Sequence, residues 1–140
     1  MTDCIFCKII NKEIPSYVIY EDEVVVAFLD ISQVTPGHTL VLPKKHVPNI
    51  MEYDEELASD VFKRIPKIAN AIKNSNPDIK GINILNNNGE VAFQSVFHSH
   101  IHIIPRYSEQ DSFGLKWQTH EHTNDELLAI TNSIAKQMEA

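Results

Sequence analysis

The chain has 140 residues, a length that suits a single domain spanning residues 1–140. Its formal net charge of −7 argues against a protein that binds nucleic acid through the phosphates, because such proteins present basic surfaces. The two cysteines, the short apolar runs and first residues that do not resemble a signal peptide favour a cytoplasmic protein without a disulfide framework or a membrane span.

Runs of aliphatic and β-branched residues predict the strands of the fold. The run at residues 24–29 is apolar throughout and predicts a largely buried strand, and Pro43 ends the next run. A later run carries a histidine at every second position. In chain order, the predicted strands are residues 16–20 at a sheet edge, 24–29, 39–42, 82–85 and about 97–104.

Two stretches predict amphipathic helices. One precedes the strand at residues 82–85, with Asp54 as its N-cap and a kink expected at Pro66. The other is a shorter C-terminal helix that begins at Thr123, where the pattern up to Glu126 fits a capping box. Several strands with one long inserted helix predict an α+β fold with helices mainly on one face of the sheet. The apolar stripes are Leu57, Val61, Ile65, Ile68 and Ile72 in the first helix and Leu127, Ile130, Ile134 and Met138 in the second.

His98, His100 and His102 alternate with Ser99 and Ile101. In a strand, the three imidazoles would share one face at a spacing of roughly 6.6 Å. Side chains that titrate near neutral pH and are held in a row on a stiff element are typical of a functional site. The run is internal and interleaved with apolar residues, so it is not an affinity tag.

Residues 98–104 resemble the signature of the histidine-triad (HIT) superfamily, in which three histidines alternate with apolar residues. Ser99 departs from that pattern, but in a strand it would face away from the site. Other segments resemble the Hint branch of the superfamily, in the same order along the chain. The resemblance implies the HIT fold, an antiparallel sheet with one long inserted helix and a short C-terminal helix. These segments are residues 5–10, 28–32, 36–38, 42–46 and 94–97, and residues 113–120 are similar to the tail of bacterial Hit-like proteins.

In the chemistry that the resemblance implies, His100 attacks the α-phosphate of a nucleotide and forms a nucleotidyl-imidazole intermediate that water hydrolyses. His102 and Ser95 correspond to groups that donate to the phosphate or the leaving group. Gln94 and Asn87 match family positions that contact the phosphate or complete the site. Asn87 lies in a polar loop, where a role as an Asx-turn residue is the alternative.

The resemblance also implies a binding site for a purine nucleoside. Asp30 corresponds to the carboxylate that accepts hydrogen bonds from the ribose hydroxyls, with a solvated strand cap as the alternative. His38 follows a Pro-Gly turn and corresponds to a histidine that supports the triad, unless it is only a surface residue. The residues that resemble the base-binding slot are Ile5, Phe6, Ile9, Phe28 and Ile31, which composition alone would place in the core.

Cys4 and Cys7 form a Cys-x-x-Cys motif, which by itself fits a redox pair, half of a metal site or coincidence. Related bacterial Hit proteins bind zinc through two cysteines, a histidine and the first triad histidine. The resemblance therefore implies a structural zinc ion on Cys4, Cys7, His46 and His98. In that case His98 braces the strand and does not act as an acid or a base.

Four functions compete. The preferred one is a purine nucleoside phosphoramidase, which hydrolyses a phosphorus–nitrogen bond. A dinucleoside polyphosphate hydrolase and a nucleotide-binding scaffold with incidental turnover are alternatives. The fourth is a nucleotidyltransferase similar to the uridylyltransferases, but that branch has glutamine where His102 stands.

Two further expectations follow from the resemblance. Phe93 stands where Hint relatives usually carry a small residue, which puts the turnover rate and the size of the leaving group in question. Hint relatives are homodimers with their sheets joined across the two-fold axis. A homodimer with the helix at residues 55–74 in its interface is therefore expected, although burial within one subunit explains the apolar stripe of that helix equally well.

Overall fold

The computed structural model of the protein describes residues 3–139, in which five strands form one antiparallel sheet. The strands are β1 (Val18–Glu21), β2 (Val25–Leu29), β3 (Thr39–Pro43), β4 (Gly81–Asn86) and β5 (Ile101–Arg106). The helices are α1 (Ile5–Ile10), α2 (Glu55–Phe62), α3 (Ile65–Asn74) and α4 (Asn124–Met138), with 3₁₀ turns at Ile50–Glu52 and Glu90–Ala92. The strand order is β1-β2-β3-β5-β4, and the predicted α+β class is confirmed.

The sheet separates two apolar layers, because successive side chains of a strand point to opposite faces. On one face, alternate residues of β2, β3 and β5 pack against the stripe of α2 and α3. On the other face, the remaining residues of β2 and β3 pack against Phe6 and Ile9 of α1. Each fully buried aliphatic side chain contributes roughly 2 kcal/mol to stability. The first layer contains Val25, Ala27, Val41, Ile101 and Ile103, and the second contains Val26, Phe28, Leu40 and Leu42.

Four predicted strands are confirmed within two residues at each end. The strand predicted from residue 97 is wrong for residues 97–100, since β5 begins at Ile101. Its ladder with β3 runs from Thr39 opposite Ile103 to Val41 opposite Ile101. Farther along, β3 ends at Pro43, which has no N–H to donate to a neighbouring strand. The loop at residues 97–100 instead forms a hydrogen bond outside the sheet, in which the Ser99 N–H donates to the carbonyl of Val47 at 2.7 Å.

The predicted inserted helix is present as two helices, α2 and α3. Asp54 caps α2, and its Oδ1 accepts the Leu57 N–H at 2.8 Å. Pro66 lies in the first turn of α3, where its missing N–H leaves no helical hydrogen bond unmade. The expected kink is therefore a break just before Pro66. The stripe residues Val61, Ile65, Ile68 and Ile72 are buried, as the spacing predicts.

A partly buried ion pair ties the β1–β2 turn to the junction of α2 and α3. Arg64 Nε donates to Asp22 Oδ2 at 2.6 Å, and the Tyr20 hydroxyl donates to the same oxygen at 2.6 Å. The other carboxylate oxygen accepts the N–H groups of Val24 and Val25. Burial opposes ionisation of Asp22, but these hydrogen bonds outweigh it and hold the pKa of Asp22 well below its usual range.

The C-terminal helix α4 begins at the predicted capping box, in which Thr123 accepts the Glu126 N–H and Glu126 accepts the Thr123 N–H. It ends at Met138, as the predicted stripe does, but with 15 residues it is longer than α2 or α3 and so is not the short helix expected. Its predicted apolar stripe is exposed, and every residue from 114 to 139 is exposed. Within residues 3–139, no helix is both long enough and apolar enough to cross a membrane.

Candidate active site

His100 lies in the loop that leads into β5 and is 4% exposed. Its Nδ1 donates to the carbonyl of His98 at 2.8 Å, since a carbonyl can only accept. Nε2 is therefore the nitrogen with a free lone pair. Burial lowers the pKa of His100, although the hydrogen bond to His98 and the charge of Asp30 act in the opposite direction. The imidazole is neutral near pH 7, as a nucleophile requires.

His102 is held by a second histidine. Nδ1 of His38 accepts the Val34 N–H at 3.3 Å, so Nε2 of His38 carries the proton. That proton is donated to Nδ1 of His102, 2.9 Å away, and Nε2 of His102 is left as a donor. Burial and the neighbouring His100 and His38 lower the pKa of His102 to about 4. The rings of His100 and His102 lie 5.2 Å apart, so a nucleophile and a hydrogen-bond donor stand side by side.

The turn before β3 positions His38. Gly37 adopts a φ of 102°, and a Cβ there would lie 3.0 Å from Cγ of Pro105. Both the conformation and the contact require glycine. The amide of Gln33 accepts the Gly37 N–H at 2.7 Å and donates to the carbonyls of Asp30 and His38. His38 is therefore a buried part of the site and not a surface residue.

Asp30 follows β2 and is partly exposed at the same edge of the site. Its Oδ1 accepts the Ser32 N–H at 2.8 Å, and its Oδ2 lies 3.6 Å from Nε2 of His38. Ligand atoms of Asp30, His38 and His102 lie within 4.8 Å of one another. Within this group His38 and His102 are hydrogen bonded, with Nε2 of His38 as the donor, and the Asp30 carboxylate lies just beyond hydrogen-bond distance.

The five residues expected to bind the base divide into two groups. Phe6, Ile9 and Phe28 are buried in the second core layer, whereas Ile5 and Ile31 are exposed. The Phe6 ring stands edge-on to His100 at a centroid distance of 4.9 Å and to Phe28 at 5.8 Å. Phe6 therefore packs directly on the central triad residue. A base could contact only the exposed pair and the outer edges of the buried group.

Gln94 is buried and shapes the loop before the triad. Its Oε1 accepts the Gly89 N–H at 2.8 Å, and its Nε2 donates to the carbonyls of Pro48 and Val96 at 2.6 and 3.0 Å. All of these partners are main-chain groups. The structure thus gives Gln94 a positioning role in the loop and leaves its amide no free group for a phosphate.

Ser95 and Asn87 flank this loop nearer the surface. Ser95 is exposed, and Asn87 Nδ2 donates weakly to the carbonyl of Phe93 at 3.4 Å. Phe93 has a φ of 68°, in the left-handed region that favours glycine, and its ring points into solvent. This backbone conformation explains why a small residue suits the position.

Cys4, Cys7, His46 and His98 form a compact cluster beside α1. Nε2 of His98 donates to the carbonyl of Pro43 at 2.7 Å, so Nδ1 carries the lone pair. This Nδ1 lies 3.2 Å from Nδ1 of His46, 3.5 Å from Sγ of Cys4 and 3.6 Å from Sγ of Cys7. A tetrahedral zinc ion separates such ligand atoms by about 3.3 to 3.8 Å. The donor set and its spacing fit zinc.

Burial shifts the pKa values of two members of the cluster, His98 and Cys7. It lowers the pKa of His98 to about 4, so this imidazole is neutral. Burial and the neighbouring Cys4 raise the pKa of Cys7 to about 11. Metal binding would therefore displace a proton from Cys7. The cluster borders an open cavity of about 610 Å³, which is lined by Asp3, Cys4, Ile5, His46, Ser95, Val96 and Phe97.

Several groups that hold the site were not predicted from the sequence. Asn86 donates from Nδ2 to the carbonyl of His100 at 2.9 Å and so fixes the backbone of the central histidine. The carbonyl of Pro43 and the amide of Gln33 hold His98 and the turn at His38. The run of amides at residues 86–88 was the only sequence signal for any of them.

The family model of the HIT domain matches residues 11–109 of the chain. The chain belongs to the HIT family. Among curated HIT proteins, it is 56% identical to Protein hit of Bacillus subtilis over 138 residues, which cover 97% of this chain and 94% of that protein. It is 36% identical to the adenosine 5′-monophosphoramidase hnt1 of Schizosaccharomyces pombe over 135 residues, which cover 96% and 98% of the two chains.

Solved HIT structures are similar over the same length. The crystal structure of a HIT family member from Bacillus subtilis has a TM-score of 0.92 and 57% identity, and the match covers 96% of each chain. A zinc-bound HIT family protein from Mycobacterium smegmatis has a TM-score of 0.74 and 32% identity over 99% and 97% of the two chains. The HIT fold expected from the sequence is confirmed.

Proposed function

We propose that the protein is a purine nucleoside phosphoramidase, which hydrolyses the phosphorus–nitrogen bond of nucleoside 5′-phosphoramidates. The observation that carries this proposal is the opposite protonation of two adjacent imidazoles. Nε2 of His100 presents a lone pair, and Nε2 of His102 presents a proton. An amine leaving group needs both a nucleophile at phosphorus and a proton donor. A HIT relative of similar length, hnt1, is named as an adenosine 5′-monophosphoramidase.

The proposed reaction has two steps. Nε2 of His100 attacks the α-phosphorus and the phosphorus–nitrogen bond breaks. The N–H of neutral His102 donates a hydrogen bond to the departing nitrogen, and a proton taken from water completes the amine. The resulting nucleotidyl-imidazole is then attacked by water, which gives the nucleoside 5′-monophosphate and restores neutral His100. The net reaction consumes one water and releases one amine. The hydrogen bond from Nδ1 of His100 to the His98 carbonyl strengthens as positive charge develops on the ring.

Substrate binding is proposed at the open side of the triad. Exposed Ile5 and Ile31 would contact the purine, with the buried Phe6 beneath it. The free oxygen of the partly exposed Asp30 would accept a ribose hydroxyl. Ser95 and Asn87 are the candidates for contacts with the phosphate, and Gln94 would contribute only by shaping the loop.

We also propose a structural zinc ion on Cys4, Cys7, His46 and His98. Four ligand atoms that all lie within 4.8 Å of one another support it, and so does the similarity to a zinc-bound HIT protein. When bound, zinc would tie α1 to the loops that hold His46 and His98. The hydrogen bond from His98 to the Pro43 carbonyl is the kind of partner that orients a ligating histidine.

A homodimer and a cytoplasmic location remain our proposals for assembly and compartment. The edge strand β4 supports the first, because its outer N–H and C=O groups can pair with a second copy, and Ile84 on this strand is exposed. Two β4 strands related by a two-fold axis would run antiparallel and join the two sheets. The outer surfaces of α2 and α3 would lie beside that junction.

The test compares adenosine 5′-phosphoramidate with diadenosine tetraphosphate as substrates of the wild type and of His100→Ala. We expect the phosphoramidate to be preferred, and kcat to fall by about 10³-fold or more in His100→Ala while the Kd for AMP changes little. His120→Ala, which removes an exposed histidine, is the matched control and should keep full activity. Wild-type kcat in His100→Ala would exclude the nucleophile assignment.

Each remaining result of the same experiment supports an alternative. Preference for the tetraphosphate would identify a dinucleoside polyphosphate hydrolase. AMP binding without turnover of either substrate would identify a nucleotide-binding scaffold. A nucleotidyltransferase would need a second phosphate acceptor to replace water, and the donor at His102 does not favour it.

A further inference from the structure

Ser99 stands between two triad histidines, at a position where the histidine-triad signature carries an apolar residue. The residue is 1% exposed, so its hydroxyl is removed from water and needs a partner inside the protein. The reaction proposed above makes no use of this side chain. A hydroxyl kept at such a position indicates a contact that an apolar side chain could not make.

Tyr53 is the partner, and its hydroxyl oxygen lies 2.9 Å from Oγ of Ser99. Tyr53 follows the 3₁₀ turn at Ile50–Glu52 and precedes Asp54, the N-cap of α2. Its ring packs on the first core layer, with its centroid 6.4 Å from that of Phe62 in α2. Burial raises the pKa of the Tyr53 phenol, so the hydroxyl keeps its proton near pH 7. The pair therefore joins the connection between β3 and α2 to the triad loop by an uncharged hydrogen bond.

The peptide unit between His98 and Ser99 carries the hydrogen bond that orients the central histidine. Its carbonyl accepts the Nδ1–H of His100 at 2.8 Å, and its N–H donates to the carbonyl of Val47 at 2.7 Å. A peptide unit is planar, so the directions of its carbonyl and of its N–H are fixed together. Whatever holds the Ser99 end of this plane therefore also aims the acceptor of His100.

The peptide plane needs more than one contact to be fixed. A hydrogen bond tolerates some change of angle, so the contact with Val47 alone lets the plane swing. At one end of the plane, Nε2 of His98 donates to the carbonyl of Pro43 at 2.7 Å. At the other end, the Tyr53 hydroxyl holds residue 99 through its side chain, whereas Val47 holds it through the main chain. Two contacts at one residue restrict the movement that either contact alone would permit.

The hydroxyl pair lies on the far side of the sheet from the substrate. Tyr53 packs on the core layer of α2 and α3, whereas Phe6, which contacts the ring of His100, belongs to the layer on the opposite face. The pair thus reaches His100 through the backbone and not through the open side of the triad. An effect of this kind changes kcat more than KM, because the substrate contacts are left as they were.

We propose that Tyr53 and Ser99 are positioning residues for the nucleophile. Their hydrogen bond fixes the peptide before Ser99, and the carbonyl of that peptide holds His100 with the lone pair of Nε2 free. Their role rests on the proposed function, in which His100 attacks the phosphorus. Reactive geometry is sensitive to displacements of about 1 Å, so a loosened carbonyl lowers turnover.

The first test compares the steady-state hydrolysis of adenosine 5′-phosphoramidate by Tyr53→Phe, Ser99→Ala and the wild type. Each substitution should lower kcat about five- to tenfold, while KM and the Kd for AMP stay within about twofold. Tyr17→Phe, which removes the hydroxyl of an exposed tyrosine, is the matched control and should keep the wild-type kcat. Wild-type kcat in both variants of the pair, or a loss expressed only in KM, would overturn the proposed role.

The double variant Tyr53→Phe/Ser99→Ala separates positioning from stability. Each single substitution leaves one hydroxyl without its partner, whereas the double variant removes both hydroxyls. We expect Tm to fall in the single variants and to recover in the double variant, while kcat stays low in all three. Recovery of kcat together with Tm would assign the pair to packing alone.

Histidine NMR measures the same contact without turnover. Two-bond ¹H–¹⁵N correlation spectra distinguish the Nδ1–H tautomer from the Nε2–H tautomer, and the signals of His100 are assigned by their loss in His100→Ala. The wild type should show the Nδ1–H form. The double variant should show about one-tenth or more of the Nε2–H form, because the carbonyl no longer selects one tautomer. An unchanged tautomer would show that the pair does not act through the His98 carbonyl and would refute the positioning role.

Failure of the proposed function gives a different result. A wild type that does not hydrolyse the phosphoramidate would refute that function, and the tautomer of His100 in the double variant would still decide whether the pair positions this ring.

Discussion

Nε2 of His38 lies 2.9 Å from Nδ1 of His102, and this hydrogen bond joins the turn before β3 to the last histidine of the triad. It is the contact that leaves a proton on the outer nitrogen of His102. Because Nδ1 of His38 accepts a main-chain N–H, the direction of the bond is set by the backbone and not by the substrate.

Loss of this bond should reduce turnover more than binding. In His38→Ala, His102 can adopt the other tautomer, so we expect kcat to fall about 10- to 100-fold with a small change in KM. His38→Gln keeps an N–H donor and should recover part of the loss. Steady-state kinetics with the phosphoramidate check this. An equal loss of activity in both variants would assign His38 to packing alone.

The acidic limb of the pH–rate profile should lie below the ordinary histidine pKa of about 6.5. His100 attacks only when neutral, and its folded-state pKa is lowered, so activity is lost only as the pH falls below that value. The charge of Asp30 raises the pKa of His100 and so opposes part of the effect of burial. Asp30→Asn should therefore move the acidic limb of the kcat–pH profile to lower pH. Measurement of kcat from pH 4 to pH 8 checks both shifts. A limb at or above pH 6.5 would contradict the neutral buried nucleophile.

Zinc removal should destabilise the protein. Purified chains kept away from chelators should contain one zinc each, and a chelator should lower Tm by about 10 °C, equivalent to a few kcal/mol. Cys7→Ser should start at the lower Tm and respond little to the chelator, which separates metal loss from other effects. Well under one zinc per chain by elemental analysis would remove the zinc proposal.

The ion pair between Asp22 and Arg64 should make stability depend on pH. Asp22→Asn should lower the free energy of unfolding at pH 7 by about 2 kcal/mol, since it breaks charge-assisted hydrogen bonds. The folded-state pKa of Asp22 is depressed, so its contribution is complete above the unfolded value of about 3.9 and is lost as the pH falls farther. Urea unfolding at pH 7 and pH 3 should show the difference shrinking.

A matched exposed pair serves as the control for that measurement. Lys63 Nζ lies 3.2 Å from Asp60 Oδ1 at the surface. Asp60→Asn should change stability by less than about 0.5 kcal/mol at either pH. If both substitutions have the same effect, the contribution of Asp22 does not come from its partly buried hydrogen bonds.

Sequence patterns identified the elements whose packing is regular. The stripe of α2 and α3 and the strands β2 and β3 are buried where their periodicity predicts. The predicted start of the histidine strand lies about four residues before the start of β5, because alternation alone does not show how far the neighbouring strand extends. Pro43 ends that partner, and its carbonyl accepts a side-chain bond from His98 instead. Helix α1 was not predicted, since six residues give too little periodicity.

The site was predictable in its residue types and not in its connections. The triad and the Cys-x-x-Cys motif are visible in the chain, and the resemblance grouped them with His46 and His38, whose side chains lie beside them in the structure. Gln94 could not be distinguished from a phosphate ligand by sequence, because only the folded loop shows its amide engaged by main-chain groups. The left-handed φ of Phe93 explains why Hint relatives usually carry a small residue at this position.

Gly37 constrains which sequences can keep this site. A side chain at this position would meet both an unfavourable φ of 102° and the ring of Pro105. Because Gly37 precedes His38, any replacement would displace the histidine that orients His102. In a library of random variants selected only for turnover, this partly exposed turn should therefore tolerate as few substitutions as the triad, although Gly37 itself has no chemical group to contribute.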